Sequence, residues 1–238
     1  FNGNQPSKVS IDACNTNKQI PGKSDKWINI LGKKTTKPNS HHIFKISKKL
    51  VFTHIRLNIF PDGGVARLRV YGAMKLKKNL KKRKINLMSL LDGAVPIACN
   101  NEHFGRAENV LAPGKGINMG DGWETRRSRG KNFDWLILKC AASGVIDKLQ
   151  IDTHHFKGNF PDKCSVQAGY AKINSSPKNI VKKSKSWKFL LGKSKLKAHK
   201  EHNFKISKNN KRVVNYIRIN IFPDGGISRL RAFGTVKT

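Results

Sequence analysis

Residues 55–72 read IRLNIFPDGGVARLRVYG and residues 217–234 read IRINIFPDGGISRLRAFG, one eighteen-residue phrase stated twice at a spacing of 162. Repeats come first in reading a chain because they decide its architecture. In each copy apolar and polar residues alternate, Ile55, Leu57 and Ile59 against Arg56 and Asn58 in the first, ahead of Phe-Pro-Asp-Gly-Gly and a second alternating run. Alternation of this period marks half-buried strands, since successive side chains leave a pleated backbone on opposite sides. Pro61 presets φ for a turn, Asp62 bonds its own backbone readily, and Gly63 and Gly64 tolerate positive φ, so the phrase predicts a β-hairpin. On that reading Arg56, Arg67 and Arg69 share a guanidinium face with Leu68 and Val70 opposite, and Arg218, Arg229 and Arg231 repeat it.

Outward from the phrase the likeness continues. FNGNQPSKVSIDAC (1–14) matches FKGNFPDKCSVQAG (156–169), Trp27 with Leu31-Gly32-Lys33 matches Trp187 with Leu191-Gly192-Lys193, and HIFKIS (42–47) matches HNFKIS (202–207). The offset grows from 155 to 160 to 162, as small insertions in loops would make it. The repeat thus runs from 1–72 to 156–234, while residues 92–155 have no upstream counterpart. The first repeat is therefore expected to be incomplete at its N-terminus, and a chain that starts on Phe1 rather than Met is expected to be a piece of a longer one. Three divisions follow: a partial first repeat over 1–72, a basic linker over 73–91 containing KLKKNLKKRK, and a complete second repeat over 92–238. Inside the last, a glycine-rich loop (103–122) precedes Trp123-Glu124-Thr125-Arg126-Arg127, and two strands are expected at 134–140 and 145–156, joined across Ala141 to Gly144. Short strands, turn residues and few helical patterns predict an all-β fold of sandwich type.

Composition bounds the function. The chain of 238 residues has room for two ordinary domains, and 48 Lys and Arg against 14 Asp and Glu give a net charge of +34. Such a balance suggests polyanionic partners. The charge, however, sits mostly as lysine in 75–84, 178–200 and 205–212, whereas the repeated phrase holds arginine at set positions. The lysines read as solvated surface with nonspecific polyanion association, and without interleaved aromatics base stacking has little support. No apolar run approaches the length of a membrane span, and no secretion signal is visible. Cys14, Cys99, Cys140 and Cys164 show no CxxC spacing, which reads as buried free thiols in a reducing, cytoplasmic setting.

DGWETRRSRG (121–130) with FDWLILKC, DTHHFKGNFPD (152–162) and NIFPDGGISRLRAFG together resemble the allantoicase family, whose members have two similar jelly-roll, galactose-binding-like β-sandwich repeats. The motifs stand in the family's order and the likeness covers nearly everything except the basic stretch. Only the second repeat has all three motifs; the first begins inside HFxGNFP, with Gln5 where the motif has Phe. The resemblance implies hydrolysis of allantoate to ureidoglycolate and urea in purine (allantoin) degradation, with no cofactor. Arginine suits such a substrate, because a planar guanidinium grips a carboxylate in bidentate fashion and also donates to a urea carbonyl.

Each candidate has a chemical and a plain reading. Glu124 is a general base, or a partner of Arg126. Asp121 faces the ligand, or serves the turn before Gly122. Arg126 and Arg127 point to opposite faces if extended, so that at most one meets substrate. His154 and His155 also part company on a strand, and His155, which matches the family motif, is an acid or base or else a satisfied, partly buried ring. Arg229, Arg231, Arg67 and Arg69 bind the substrate anion or form a salt-bridge ladder with Asp62 or Asp224. Trp27, Trp187, Phe60 and Phe222 read as packing rather than stacking platforms. No HxH, HExxH or Cys/His spacing calls for a metal, and no Cys/His partnership supports thiol catalysis. The enzyme is the main reading, with a non-catalytic ligand-binding sandwich or an inactive remnant of the enzyme as the alternative, since a fold alone does not settle activity. Exposed strand edges in a partial repeat favour pairing with another subunit.

Overall fold

The computed structural model describes residues 1–48, 50–72, 74–75, 83–128, 132–172 and 175–237. It divides into two compact units, Phe1–Gly72 and Ala73–Thr238. The first holds β1 (Lys8–Cys14), β2 (Ile28–Thr35) and β3 (His54–Phe60) in an antiparallel sheet of order β2-β1-β3. β1 and β3 pair without a break from Lys8↔Phe60 to Cys14↔His54. Val9, Ala13, Cys14, Ile30 and Leu31 supply its small buried apolar set.

The second unit is larger. In order it has β4 (Lys84–Asn86), β5 (Val95–Cys99), β6 (Trp123–Glu124), β7 (Asp134–Asp152), β8 (Lys163–Gly169), helix α1 (Pro177–Ser184), β9 (Phe189–Lys195), β10 (Glu201–Lys205), β11 (Val213–Phe222), β12 (Gly226–Ile227) and β13 (Arg229–Val236). The order β9-β8-β11 reproduces β2-β1-β3 of the first unit. Alternation does the sorting: Ile217, Ile219 and Ile221 of β11 point into a core shared with Leu136 and Leu138 of β7, Val166 of β8 and Leu230 of β13, while Tyr216, Arg218 and Asn220 take the other face. On that face Ile137, Ala171, Ile180 and Tyr216 form a second cluster under α1. Pro177 opens the helix, and Ser176 caps it by accepting from the Asn179 amide. The fold is all-β, a sandwich repeated, with the first unit presenting one layer of it.

Three expectations need correcting. The phrase is not a hairpin: β11 and β13 are separated by β7, which pairs with both. Alternation specifies a two-faced strand but not its neighbour, and here the glycines of FPDGG give their backbone bonds to Asn159 and Thr125 instead of closing a turn. Nor are 134–140 and 145–156 two strands. They are one, β7, which passes from β5 to β13 on one side and from β11 to β10 on the other. The small run Ala141-Ala142-Ser143 takes up a register shift against β11 rather than a turn, and at Gly144 any Cβ would stand 2.7 Å from the Thr235 carbonyl oxygen. The strand stops at Asp152, so His154 and His155 lie in a turn. Finally, the second sandwich begins before residue 92: β4 pairs with β13, and Leu87 and Met88 are wholly buried. The rest of the linker, 73 and 76–82, lies outside the described residues.

In the first unit residues 65–72 form no strand, and Arg67 and Arg69 are exposed. β13, their counterpart, pairs with β7, and among the described residues of 1–72 there is no strand equivalent to β7.

Candidate functional site

The motifs of the second unit meet at one end of its sandwich, through loops tied to each other by backbone bonds. The Gly226 amide donates to the Asn159 carbonyl at 2.8 Å, the Thr125 amide to the Gly225 carbonyl at 3.2 Å, and the Ser228 amide to the Asp152 carbonyl at 2.7 Å. Thr125 Oγ1 accepts from the Gly225 amide at 3.1 Å, and the Ser128 amide donates to Asp224 Oδ2 at 2.6 Å. Gly225, at φ 131, leaves no room for a side chain, since a Cβ there would lie 2.6 Å from the Asn159 carbonyl oxygen. The first unit repeats this closure: Gly63 has φ 123, its Cβ would lie 2.7 Å from Pro6 N, and the Gly64 amide donates to the Asn4 carbonyl at 2.7 Å. GN-P and PDGG are thus two halves of one joint.

Glu124 stands on that joint in the second unit. β6 pairs with β12 through Glu124↔Gly226, and the Glu124 carbonyl accepts from the amides of His103 and Phe104. The residue is 8% exposed. Asn159 Nδ2 donates to Oε1, and among the described residues nothing donates to Oε2. Burial pushes the carboxyl above its ordinary pKa, against the smaller opposing effect of Asn159. The expected pairing with Arg126 is not formed: Arg126 and Arg127 follow β6 in non-strand backbone and are both exposed.

Arg229 and Arg231 are otherwise engaged. Arg229, 3% exposed, pairs with Asp121 Oδ2 at 2.5 Å and also donates to the carbonyls of Asp121, Ser228 and Lys115. Arg231 donates to Val110, Leu230, Ala112 and Gly114. Together they hold the glycine-rich loop by its carbonyls, and among the described residues the expected ladder with Asp224 is absent, Asp224 instead accepting from the Ser128 amide. Burial works to raise the Asp121 carboxyl, but the Arg229 bond, the Ile117 amide and the nearby charges of Arg229 and His155 outweigh it and hold it low.

His155 adopts φ 70, a left-handed conformation uncommon away from glycine. Its Nε2 lies 2.9 Å from the Gly116 carbonyl oxygen, and its amide donates to His199 Nδ1 at 2.9 Å. His154 pairs with Asp152 at 3.2 Å, and its ring centroid lies 4.4 Å from that of His199. Among the described residues no group of three or more His, Cys, Asp or Glu is arranged to hold a metal. Burial pushes the Cys140 and Cys164 thiols up to about 12, which suits packing rather than nucleophilic use. Asn159 and His199 were not among the expected site residues. Asn159 had a signal, recurring with Asn4 in GN-P; His199 lies outside every motif.

Fold and site together define a two-repeat β-sandwich protein with a buried carboxyl and arginine-bearing loops at one end of its second repeat. A family model for the allantoicase repeat matches residues 1–75 and 85–237. A probable allantoicase 1 of Burkholderia mallei is 44% identical over 238 residues, covering 99% of this chain and 70% of its relative; a probable allantoicase of Photobacterium profundum is 44% identical over 236 residues, covering 98% and 71%. The crystal structure of allantoicase from Saccharomyces cerevisiae superposes with a TM-score of 0.83 at 36% identity, covering 98% of this chain and 70% of that one. The chain belongs to the allantoicase family.

Proposed function

We propose that this chain is an allantoicase, adding water to allantoate to give ureidoglycolate and urea in purine degradation, and that the loop end of the second unit is its working site. In that reaction one bond from the central carbon to a ureido nitrogen breaks, the departing nitrogen gains a proton to become urea, and the carbon takes the hydroxyl of water. Water therefore loses one proton and the departing nitrogen gains one, two transfers managed close to one carbon. Family membership supports the reaction, and the buried Glu124 carboxyl, bound at Oε1 by Asn159 and open at Oε2, is the observation that supports the site.

Glu124 is the proton carrier in this reading, since burial brings its affinity toward the range where a carboxyl both takes and returns a proton. His155 is the second, its Nε2 held 2.9 Å from the Gly116 carbonyl oxygen so that Nδ1 is the ring nitrogen left for proton exchange. Arg126 and Arg127, exposed on the loop that carries Glu124, supply the forks for the substrate carboxylate. Arg229, Arg231 and Asp121 position that loop, and Arg67 and Arg69 have no assigned part.

Glu124→Gln preserves shape and removes the titrating group. Urea release from allantoate is expected to fall by roughly 100-fold or more, with an unchanged melting temperature. Undiminished turnover in that variant removes Glu124 from the mechanism.

A further inference from the structure

The two units differ at one charged position on the sheet face away from the core. In the first, Arg56 stacks on Trp27 with its guanidinium 4.4 Å from the ring and pairs with Asp12 Oδ2 at 2.9 Å. Asn58 also donates to Asp12 Oδ2, at 2.8 Å, and Asn29 donates to Oδ1 at 3.0 Å. The cation is neutralised in place.

In the second unit the matching arginine is Arg218, 5% exposed and stacked 4.6 Å from the Trp135 ring. Asp12 is replaced by Gln167 and Asn29 by Phe189, positions paired in the same register in both sheets. Asn220 Nδ2 still finds its acceptor, now Gln167 Oε1 at 3.1 Å, and Ser165 Oγ at 3.1 Å. Arg218 Nε donates to Asn220 Oδ1 and Nη1 to Ser184 Oγ, both at 2.9 Å. Among the described residues no carboxylate pairs with Arg218 and nothing accepts from Nη2. A buried cation with only neutral partners is costly unless a counter-charge arrives from elsewhere. Burial accordingly lowers the Arg218 pKa from its ordinary value.

Beside this network a groove of about 590 Å³ is lined by Asn220, Gln167 and Ser165 together with Lys185, Lys193 and Phe222. Lys193 stands 4.5 Å from the centre of the Phe222 ring. The groove therefore combines two lysines on its rim, amide and hydroxyl groups on its floor, aromatic surface and a buried guanidinium without a counterion behind it. We propose that this groove is a second binding site, for a small organic carboxylate. The ligand supplies the negative charge that Asp12 supplies in the first unit, and its amide or ureido groups meet the polar floor. A carboxylate is favoured over other anions because the group lost between the two units is itself a carboxylate.

The test is calorimetric titration of the full chain with N-carbamoylglycine, a ureido carboxylate, and with its uncharged amide. Saturable binding of the acid is expected, with the amide at least tenfold weaker. Gln167→Asp restores the built-in counter-charge and is expected to weaken the acid at least tenfold while urea release from allantoate stays within twofold of the parent. Lys193→Ala, on the rim, is expected to weaken it severalfold and reads the same groove independently of the buried network. Absence of saturable binding, equal binding of the amide, or acid binding unchanged in both variants overturns the proposal. A parallel loss of urea release in Gln167→Asp overturns the claim that this groove is separate from the Glu124 site.

Discussion

At Glu124 two local effects oppose each other. Burial favours the protonated carboxyl, and the Asn159 bond favours the charged one. Removing the bond with Asn159→Ala should therefore raise the Glu124 pKa further. If ionised Glu124 accepts the proton in the slow step, the acid limb of the rate profile moves to higher pH in that variant, and a pH series of urea release measures it. Asp121 behaves in the opposite sense. Its folded pKa is depressed, so its contribution to stability is present above the unfolded value near 3.8 and is lost as pH falls through the lower folded value. Asp121→Asn should cost about 2 kcal/mol near neutrality by leaving the buried Arg229 without its carboxylate, and the gap to the parent should close below about pH 4, as read by denaturant titration at both conditions. Glu124 and Asp121 drew notice because each sits in a motif of unusual composition, though the sequence did not show that Asp121 is taken up by Arg229. The employment of Arg229 and Arg231 was not legible, because their acceptors are main-chain carbonyls that any residue offers.

The joint between GN-P and PDGG is the element on which the proposed site rests, and it occurs in both units. Gly225→Ala places a Cβ against the Asn159 carbonyl at a φ that other residues avoid, and should destabilise the second unit by roughly 1–3 kcal/mol. Loss of urea release should accompany it, because Asn159 also holds Glu124. Gly63→Ala meets the same obstacle at Pro6 and Gln5, yet the described first unit has no counterpart of Glu124, so its effect should fall on stability alone. Thermal melts with parallel activity assays separate the two. Here the sequence reading was half right. The strands and turn glycines of the phrase were visible in its alternation, but the partner of each strand was not, because β7 inserts between β11 and β13 from a segment far away in the chain. β7 was itself read as two pieces because Ala141-Ala142-Ser143-Gly144 looks like a turn, whereas small residues also allow a strand to shift register while it continues.

At the scale of the whole chain, the internal repeat makes the sandwich architecture readable from sequence, since one phrase recurring with its flanking motifs requires two similar units. The boundary was harder to place. The lysine-rich composition of 75–84 concealed a strand at Lys84–Asn86 and the wholly buried Leu87 and Met88 directly after it. The functional claim spans the molecule as well, because family membership covers both repeats while the buried carboxyl belongs to one. Its most direct test is to incubate the purified chain with allantoate and follow urea and ureidoglycolate together. One urea and one ureidoglycolate are expected for each allantoate consumed, at a rate that Glu124→Gln depresses about 100-fold. Allantoate left intact by folded protein, or equal rates in the two proteins, would contradict it.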